Sequence, residues 1–146
     1  MFVRISGMVS SGLGRAQVFM SQKHYQSQFK AVLGVGAWPG TLNVDVGIES
    51  EESFSQLRMI AGLDEGGITE SVAPKRIEGF ERDGQSFGGA TAFSGRIRAS
   101  GGAWEVCAIL IPDLTRHTST AEVISGAFLR ESLPCVDGDL VEIELN

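Results

Sequence analysis

Basic charge, cysteine and long apolar runs are scarce in this sequence, and each scarcity narrows what it can be. Twelve lysines and arginines stand against eighteen acids, for a net charge of −6. That balance argues against a nucleic-acid binder, which needs a basic face. It leaves room for a mononucleotide, because backbone N–H groups and Mg²⁺ can hold a triphosphate with few basic side chains. The two cysteines, Cys107 and Cys135, form no close metal-type pair, and nothing suggests secretion. A reduced, cytoplasmic protein is the expectation. No apolar run approaches the ~20 residues of a bilayer-spanning helix. The start, Met1-Phe2-Val3-Arg4-Ile5, lacks the anatomy of a signal peptide. Neither a membrane nor a nucleic acid is therefore expected as a partner.

What remains is 146 residues, 42% of them hydrophobic, which suits a single domain (1–146) with a real core. Nineteen glycines cut the chain into short pieces, as many short strands and turns require. Alternation predicts strands over Phe2–Val9 and Leu42–Val46, with a further short strand over Gln17–Met20. Helical spacing of Tyr25, Phe29, Val32 and Leu33 predicts a helix from Gln22 to Leu33, with Gly34 at its C-cap. Phe54, Leu57 and Ile60 suggest a second short helix after the acidic run Glu49–Glu52. Gly62–Ala73 reads as a mobile loop. Asp83-Gly84 is a hairpin signal between strands over Arg76–Glu81 and Gln85–Phe93. Trp104–Ile111 reads as the most buried strand. Ala127–Leu133 reads as a short helix, and Leu140–Leu145 as the last strand.

An internal echo is visible. Phe29…Leu33, a turn and Gly40-x-Leu-x-Val match Phe128…Leu133, a turn and Gly138-x-Leu-x-Glu-Ile. Such duplication suits a closed β-barrel with pseudo-twofold symmetry.

Four stretches could carry chemistry. The loop Gly12-Leu13-Gly14-Arg15-Ala16-Gln17 lets backbone N–H groups approach phosphate oxygens, but it is neither a P-loop nor a dinucleotide fingerprint, and an ordinary tight loop is the plainer reading. Thr41 and Asn43 share one face of a strand just past the Pro39-Gly40 turn, as hard oxygen ligands of the kind Mg²⁺ prefers. On these residues alone, solvent-facing positions of a half-buried strand remain the plainer reading. Thr115-Arg116-His117-Thr118-Ser119-Thr120 with Glu122 is a polar stretch at the rim of a core. It is either ligand-contacting or ordinary loop, with His117 either catalytic or bonded to nearby backbone. Ser125-Gly126 is expected to open a helix carrying Arg130. That is either a phosphate clamp or a surface arginine paired with Glu131 or Glu122.

Taken together, Ser11-Gly12-Leu13-Gly14, Tyr25…Gln28-Phe29…Leu33-Gly34, Pro39-Gly40-Thr41-Leu42-Asn43-Val44, Ile77-Glu78-Gly79-Phe80…Phe87-Gly88, Pro112…Thr115…His117 and Glu122-Val123-Ile124…Leu129-Arg130…Asp137-Gly138-Asp139 resemble the archaeal CTP-dependent riboflavin kinases. Pro-Gly-Thr-Leu-Asn is the most specific part, and the resemblance covers nearly the whole chain. It implies a mainly β fold with short helices (α+β), built as a six-stranded cradle-loop barrel. It also implies transfer of a phosphoryl group from CTP to riboflavin, giving FMN and CDP with Mg²⁺. Some members carry an N-terminal winged helix, for which 146 residues leave no room.

By the same resemblance, Thr41 and Asn43 match the Mg²⁺ ligands. Gly12, Leu13, Gly14, Arg15, Ala16 and Gln17 match a first nucleotide segment. Ala127, Phe128, Leu129 and Arg130 match a second, and Thr115 and Glu122 match flavin contacts. No general base is assigned; Glu122 is a candidate by type, whereas the resemblance makes it a flavin contact. The chain departs from the family pattern at Arg15-Ala16-Gln17, where an acidic residue and Gly are usual. It departs again at Ser125-Gly126, where Ala-Pro is usual, and at Trp38, where Tyr is common. The departures at Ala16 and Gln17 motivate the alternative reading, a non-catalytic flavin- or nucleotide-binding sensor on the same barrel.

Overall fold

A computed structural model describes residues 3–12 and 19–146. The barrel starts from strand alternation. In β1 (Val3–Ser10), Val3, Ile5 and Val9 are buried, while Arg4 and Met8 face out. β2 (Leu42–Val46) buries Leu42, Val44 and Val46 in the same way. After these come β3 (Pro74–Ile77), β4 (Phe80–Arg82), β5 (Gln85–Phe87), β6 (Ala90–Ala99), β7 (Glu105–Pro112), β8 (Thr120–Ile124) and β9 (Leu140–Leu145). Three α-helices that lie wholly within the described residues join them: α1 (Lys23–Leu33), α2 (Glu51–Ile60) and α3 (Leu129–Ser132).

Six strands close a ring in the order β6-β7-β8-β2-β1-β9, with β9 returning to β6, and every pairing is antiparallel. Closure depends on β6 changing partner. Its first half pairs with β3, Pro74 opposite Phe93, and its second half with β9, Gly95 opposite Leu145. Gly95 sits at that switch because a Cβ there would collide with the Glu144 carbonyl oxygen.

The barrel interior is filled by branched and aromatic side chains such as Val44, Phe93, Ile109 and Ile143, each fully buried. Phe54 and Leu57 of α2 and Leu129 of α3 join this core. A second apolar layer lies outside the wall. Tyr25, Phe29 and Leu33 of α1 pack over Ala90, Ala92 and Ala108, whose small side chains let the helix approach the strands. Gly34 caps α1 in the left-handed conformation, as its position predicts.

Several expectations need correction. Phe19 and Met20 are helical rather than strand, while Gln17 lies outside the described residues. The two strands around Asp83-Gly84 are each broken, at Glu78-Gly79 and at Gly88-Gly89. There the chain leaves the barrel to form the separate β4–β5 hairpin, whose Phe80 and Phe87 stack 4.5 Å apart. Ala127–Leu133 contracts to the four residues of α3. Gly62–Ala73 has no regular structure but is tethered. The buried Gln56 side chain bonds Gly67 O at 2.8 Å and accepts from Thr69 N at 2.7 Å. The echo aligns β2 with β9; exchanging the ring strands in chain order, β1 with β7, β2 with β8 and β6 with β9, also leaves the ring's pairing unchanged.

Candidate functional site

The outward face of β2 is the floor of the site. Antiparallel register sets Ser10 of β1, Asn43 of β2 and Glu122 of β8 in one row, and Met8, Asp45 and Thr120 in the next. Just before the strand, Thr41 Oγ1 donates to Asn43 Oδ1 at 3.2 Å. Asp45 Oδ1 accepts from Ser10 Oγ at 3.1 Å and from Thr120 Oγ1 at 3.2 Å, tying the three strands together. Gly12 lies directly against the Asn43 amide, with no space for a side chain between them.

All of these except Met8 line a cleft of about 870 Å³. Part of its wall is aromatic. Trp38 and Phe128 stack at 4.9 Å, both partly exposed. Buried Ser125 fixes that wall. Its carbonyl accepts from Trp38 N at 2.7 Å, and its hydroxyl donates to Val106 O at 2.7 Å while accepting from Ala127 N at 3.2 Å. At one end, Arg130 reaches Ser10 O at 3.3 Å and Asp137 Oδ1 at 2.8 Å. Ser11 Oγ donates to the other Asp137 oxygen. Ser11 first, then Arg130, hold the Asp137 carboxyl below the usual range, since both favour its charged form. At the other end Glu122 is half-buried, and burial pushes its carboxyl up against a smaller opposing pull from His117.

The structure brings Gly12, Thr41, Asn43, His117, Glu122, Ala127, Phe128, Leu129 and Arg130 to one cleft. Leu13, Gly14, Arg15, Ala16 and Gln17 lie outside the described residues. Thr115 does not line the cleft; its Oγ1 accepts from His117 N at 3.1 Å, one bond behind the rim. The expected helix opening at Ser125-Gly126 is corrected, because α3 begins only at Leu129 and is too short for a useful dipole. Arg130 pairs with Asp137 rather than with Glu131 or Glu122.

Sequence comparison bears on what such a cleft is for. The sequence model of the CTP-dependent riboflavin kinase domain, described as a domain of unknown function (DUF120), matches residues 9–145. The chain belongs to the CTP-dependent riboflavin kinase family. A riboflavin kinase of Thermoplasma acidophilum is 34% identical over 143 residues, covering 98% of this chain and 57% of that protein. One of Archaeoglobus fulgidus is 37% identical over 144 residues, covering 98% and 54%. One of Methanoculleus marisnigri is 34% identical over 142 residues, covering 97% and 56%. The chain thus spans little more than half the length of these relatives.

The metal question turns on the donor set that this family member presents. Among the described residues, no three His, Cys, Asp or Glu side chains are grouped to hold an ion. The Thr41 and Asn43 oxygens nevertheless fit one, being hard, neutral and 3.2 Å apart. Adjacent ligands of an octahedral Mg²⁺ with bonds of 2.0–2.1 Å lie about 2.9 Å apart.

Sequence reasoning missed the Trp38–Phe128 wall, the Ser125 tie and Asp137 as the partner of Arg130. Trp38 beside the Pro39-Gly40 turn and the assignment of Phe128 by resemblance were the available hints of the wall. No helix among the described residues is long and apolar enough to cross a membrane.

Proposed function

We propose that this domain phosphorylates riboflavin with CTP as the donor, giving FMN and CDP, and that Thr41 and Asn43 hold the Mg²⁺. The reading takes residues 1–146 as one barrel domain working in the cytoplasm, with Cys107 and Cys135 as buried free thiols. The observation that carries it is the Thr41–Asn43 oxygen pair, backed by Gly12, on the floor of a cleft whose size falls in the usual ligand range of about 300–1,000 Å³. The relatives' printed activity supplies the substrate class.

In the reaction, the terminal ribityl hydroxyl of riboflavin attacks the γ-phosphorus of CTP. The bond between that phosphorus and the CDP oxygen breaks, CDP leaves with the bonding electrons, and the hydroxyl proton passes to water. Bound Mg²⁺ would neutralise charge on the phosphates. The transition state is loose, so positioning is the protein's main task. Gly12 on one side and the Ala127–Arg130 segment on the other flank the donor. Arg130, fixed by Asp137, holds the end of β1 at Ser10 and so sets where the Gly12 backbone lies. Trp38 and Phe128 offer an apolar wall to a planar ring. Glu122, set beside Asn43 by register, offers a carboxylate to the acceptor hydroxyls.

Asn43→Ala tests the assignment. FMN formation should fall by at least about a hundredfold, as expected for loss of a positioning ligand, while the melting temperature changes by a few degrees at most. Two neutral ligands bind Mg²⁺ weakly on their own. Calorimetry should therefore detect Mg²⁺ binding only in the presence of CDP. Retained FMN formation in Asn43→Ala, or tight Mg²⁺ binding without nucleotide, would remove Thr41 and Asn43 from the role.

A further inference from the structure

We infer that Arg58, which lies outside the cleft, is a positioning residue for the acceptor side of the site: it fixes the β7–β8 loop and so sets His117 and the wall that riboflavin meets. The inference rests on the riboflavin reading above.

The β7–β8 loop is exposed from Arg116 through Ser119 and adds nothing to the core. Its entry is fixed by Thr115 N donating to Pro112 O at 3.1 Å, and its exit by Val46 N donating to Ser119 O at 2.8 Å. Between those points His117 is gripped twice. Its N–H donates to Thr115 Oγ1 at 3.1 Å, and its carbonyl accepts from Arg58 Nη1 at 2.7 Å. Only the second of these grips comes from another element. His117 lines the cleft together with Glu122.

Arg58 is built to hold that carbonyl in one place. It stands in the last turn of α2, where a cation suits the helix C-terminus, and its side chain is only 11% exposed. Asp64 orients the guanidinium, with Nε to Oδ2 at 2.8 Å and Nη2 to Oδ1 at 3.4 Å. Asp64 is in turn carried by the segment that buried Gln56 tethers through Gly67, Thr69 and Glu70. A core-packed helix, a tethered segment and one forked side chain therefore form a brace that ends on the cleft's rim. Lysine could keep the charge and reach one acceptor, but it cannot meet Asp64 and His117 together in a fixed plane.

The test compares Arg58→Met and Arg58→Lys with the unchanged protein. Riboflavin affinity is read from flavin fluorescence, and both KM values from FMN formation. Loss of one charge-assisted bond to the loop should raise the riboflavin Kd and KM of Arg58→Met by roughly threefold to tenfold. The KM for CTP should stay within about twofold, and Arg58→Lys should recover part of the loss. A folded Arg58→Met with unchanged riboflavin affinity overturns the inference. So do equal losses for both ligands, which would mean general loosening. Should Arg58→Met fail to fold, Asp64→Asn takes its place. It leaves the His117 bond possible but unoriented, so it should shift riboflavin affinity in the same direction by less, and no shift overturns the inference. If the unchanged protein binds no riboflavin, the functional reading falls and takes this inference with it.

Discussion

Replacing Gly12 by alanine should leave the barrel intact and damage the reaction. A Cβ built on Gly12 would stand 2.4 Å from Asn43 Nδ2 and 3.3 Å from its Cγ. Ordinary contact begins near 3.4 Å, so the amide must move by about 1 Å. The obstructing atom is the tip of a flexible side chain, and the Gly12 backbone is not left-handed, so alanine imposes no φ strain. Turning Asn43 off its rotamer costs about 0.5–1.5 kcal/mol, partly offset by the 0.4–1 kcal/mol that Gly→Ala removes from unfolded-chain entropy. The melting temperature should therefore change by no more than about 4 °C. Catalysis is less tolerant: a misplacement of about 1 Å at a positioning group can cost on the order of a hundredfold, or about 2.7 kcal/mol of transition-state stabilisation. The assay is FMN formation with CTP, riboflavin and Mg²⁺, paired with thermal unfolding by circular dichroism. A folded Gly12→Ala with unchanged kcat/KM would refute the claim that the Asn43 amide must sit where it does.

The remaining predictions follow from the same contacts. Glu144 is 3% exposed and gripped by Arg4 and Arg96, which hold its carboxyl below the ordinary range. A depressed folded pKa gives stability that is present above the unfolded value and lost as pH falls through the folded one. Glu144→Gln should therefore lower the melting temperature at pH 7, and the gap should narrow as unfolding is measured at increasingly acidic pH. Ile109→Ala, at a fully buried barrel position, should cost about 2–5 kcal/mol in denaturant unfolding without a specific effect on KM. Gly95→Ala should be worse, since the obstruction is backbone at the point of closure, and loss of soluble folded protein is its expected readout. Trp38 lies in the cleft and Trp104 outside it, so in Trp104→Phe the remaining indole emission should change on adding nucleotide or riboflavin. A flat titration would remove Trp38 from the ligand wall.

How much of this was readable in the sequence depended on how local the cause was. β2 and β9 have the predicted bounds because each follows a glycine turn and alternates, β2 throughout and β9 from Val141 on, and α1 ends where Gly34 says it should. β8 was hidden because its outward residues, Thr120 and Glu122, continue the polar composition of the loop before it. The strands around Asp83-Gly84 were drawn through Gly79 and Gly88-Gly89, where the chain leaves the barrel; alternation does not register such a departure. In the site, the shared direction of Thr41 and Asn43 follows from local spacing and is seen in their 3.2 Å contact, whereas a metal role for them comes from the family resemblance alone. The Arg130–Asp137–Ser10 grip, the Trp38–Phe128 stack and the Arg58 brace join residues from separate elements, so only the closed ring reveals them. The family resemblance bridged part of that gap: it assigned Phe128 and Arg130 to one nucleotide segment before any contact placed them in the cleft.

The central claim is the reaction itself, and one incubation tests it most directly. The purified protein is mixed with riboflavin, Mg²⁺ and, separately, CTP, ATP, GTP or UTP, and riboflavin is then separated from FMN. The account predicts FMN with CTP, accompanied by an equal amount of CDP, and little with the other three. Riboflavin left unchanged by every nucleotide, while still bound by the protein, would contradict it and leave a flavin sensor on the same barrel. FMN formed from ATP in preference to CTP would contradict the choice of donor.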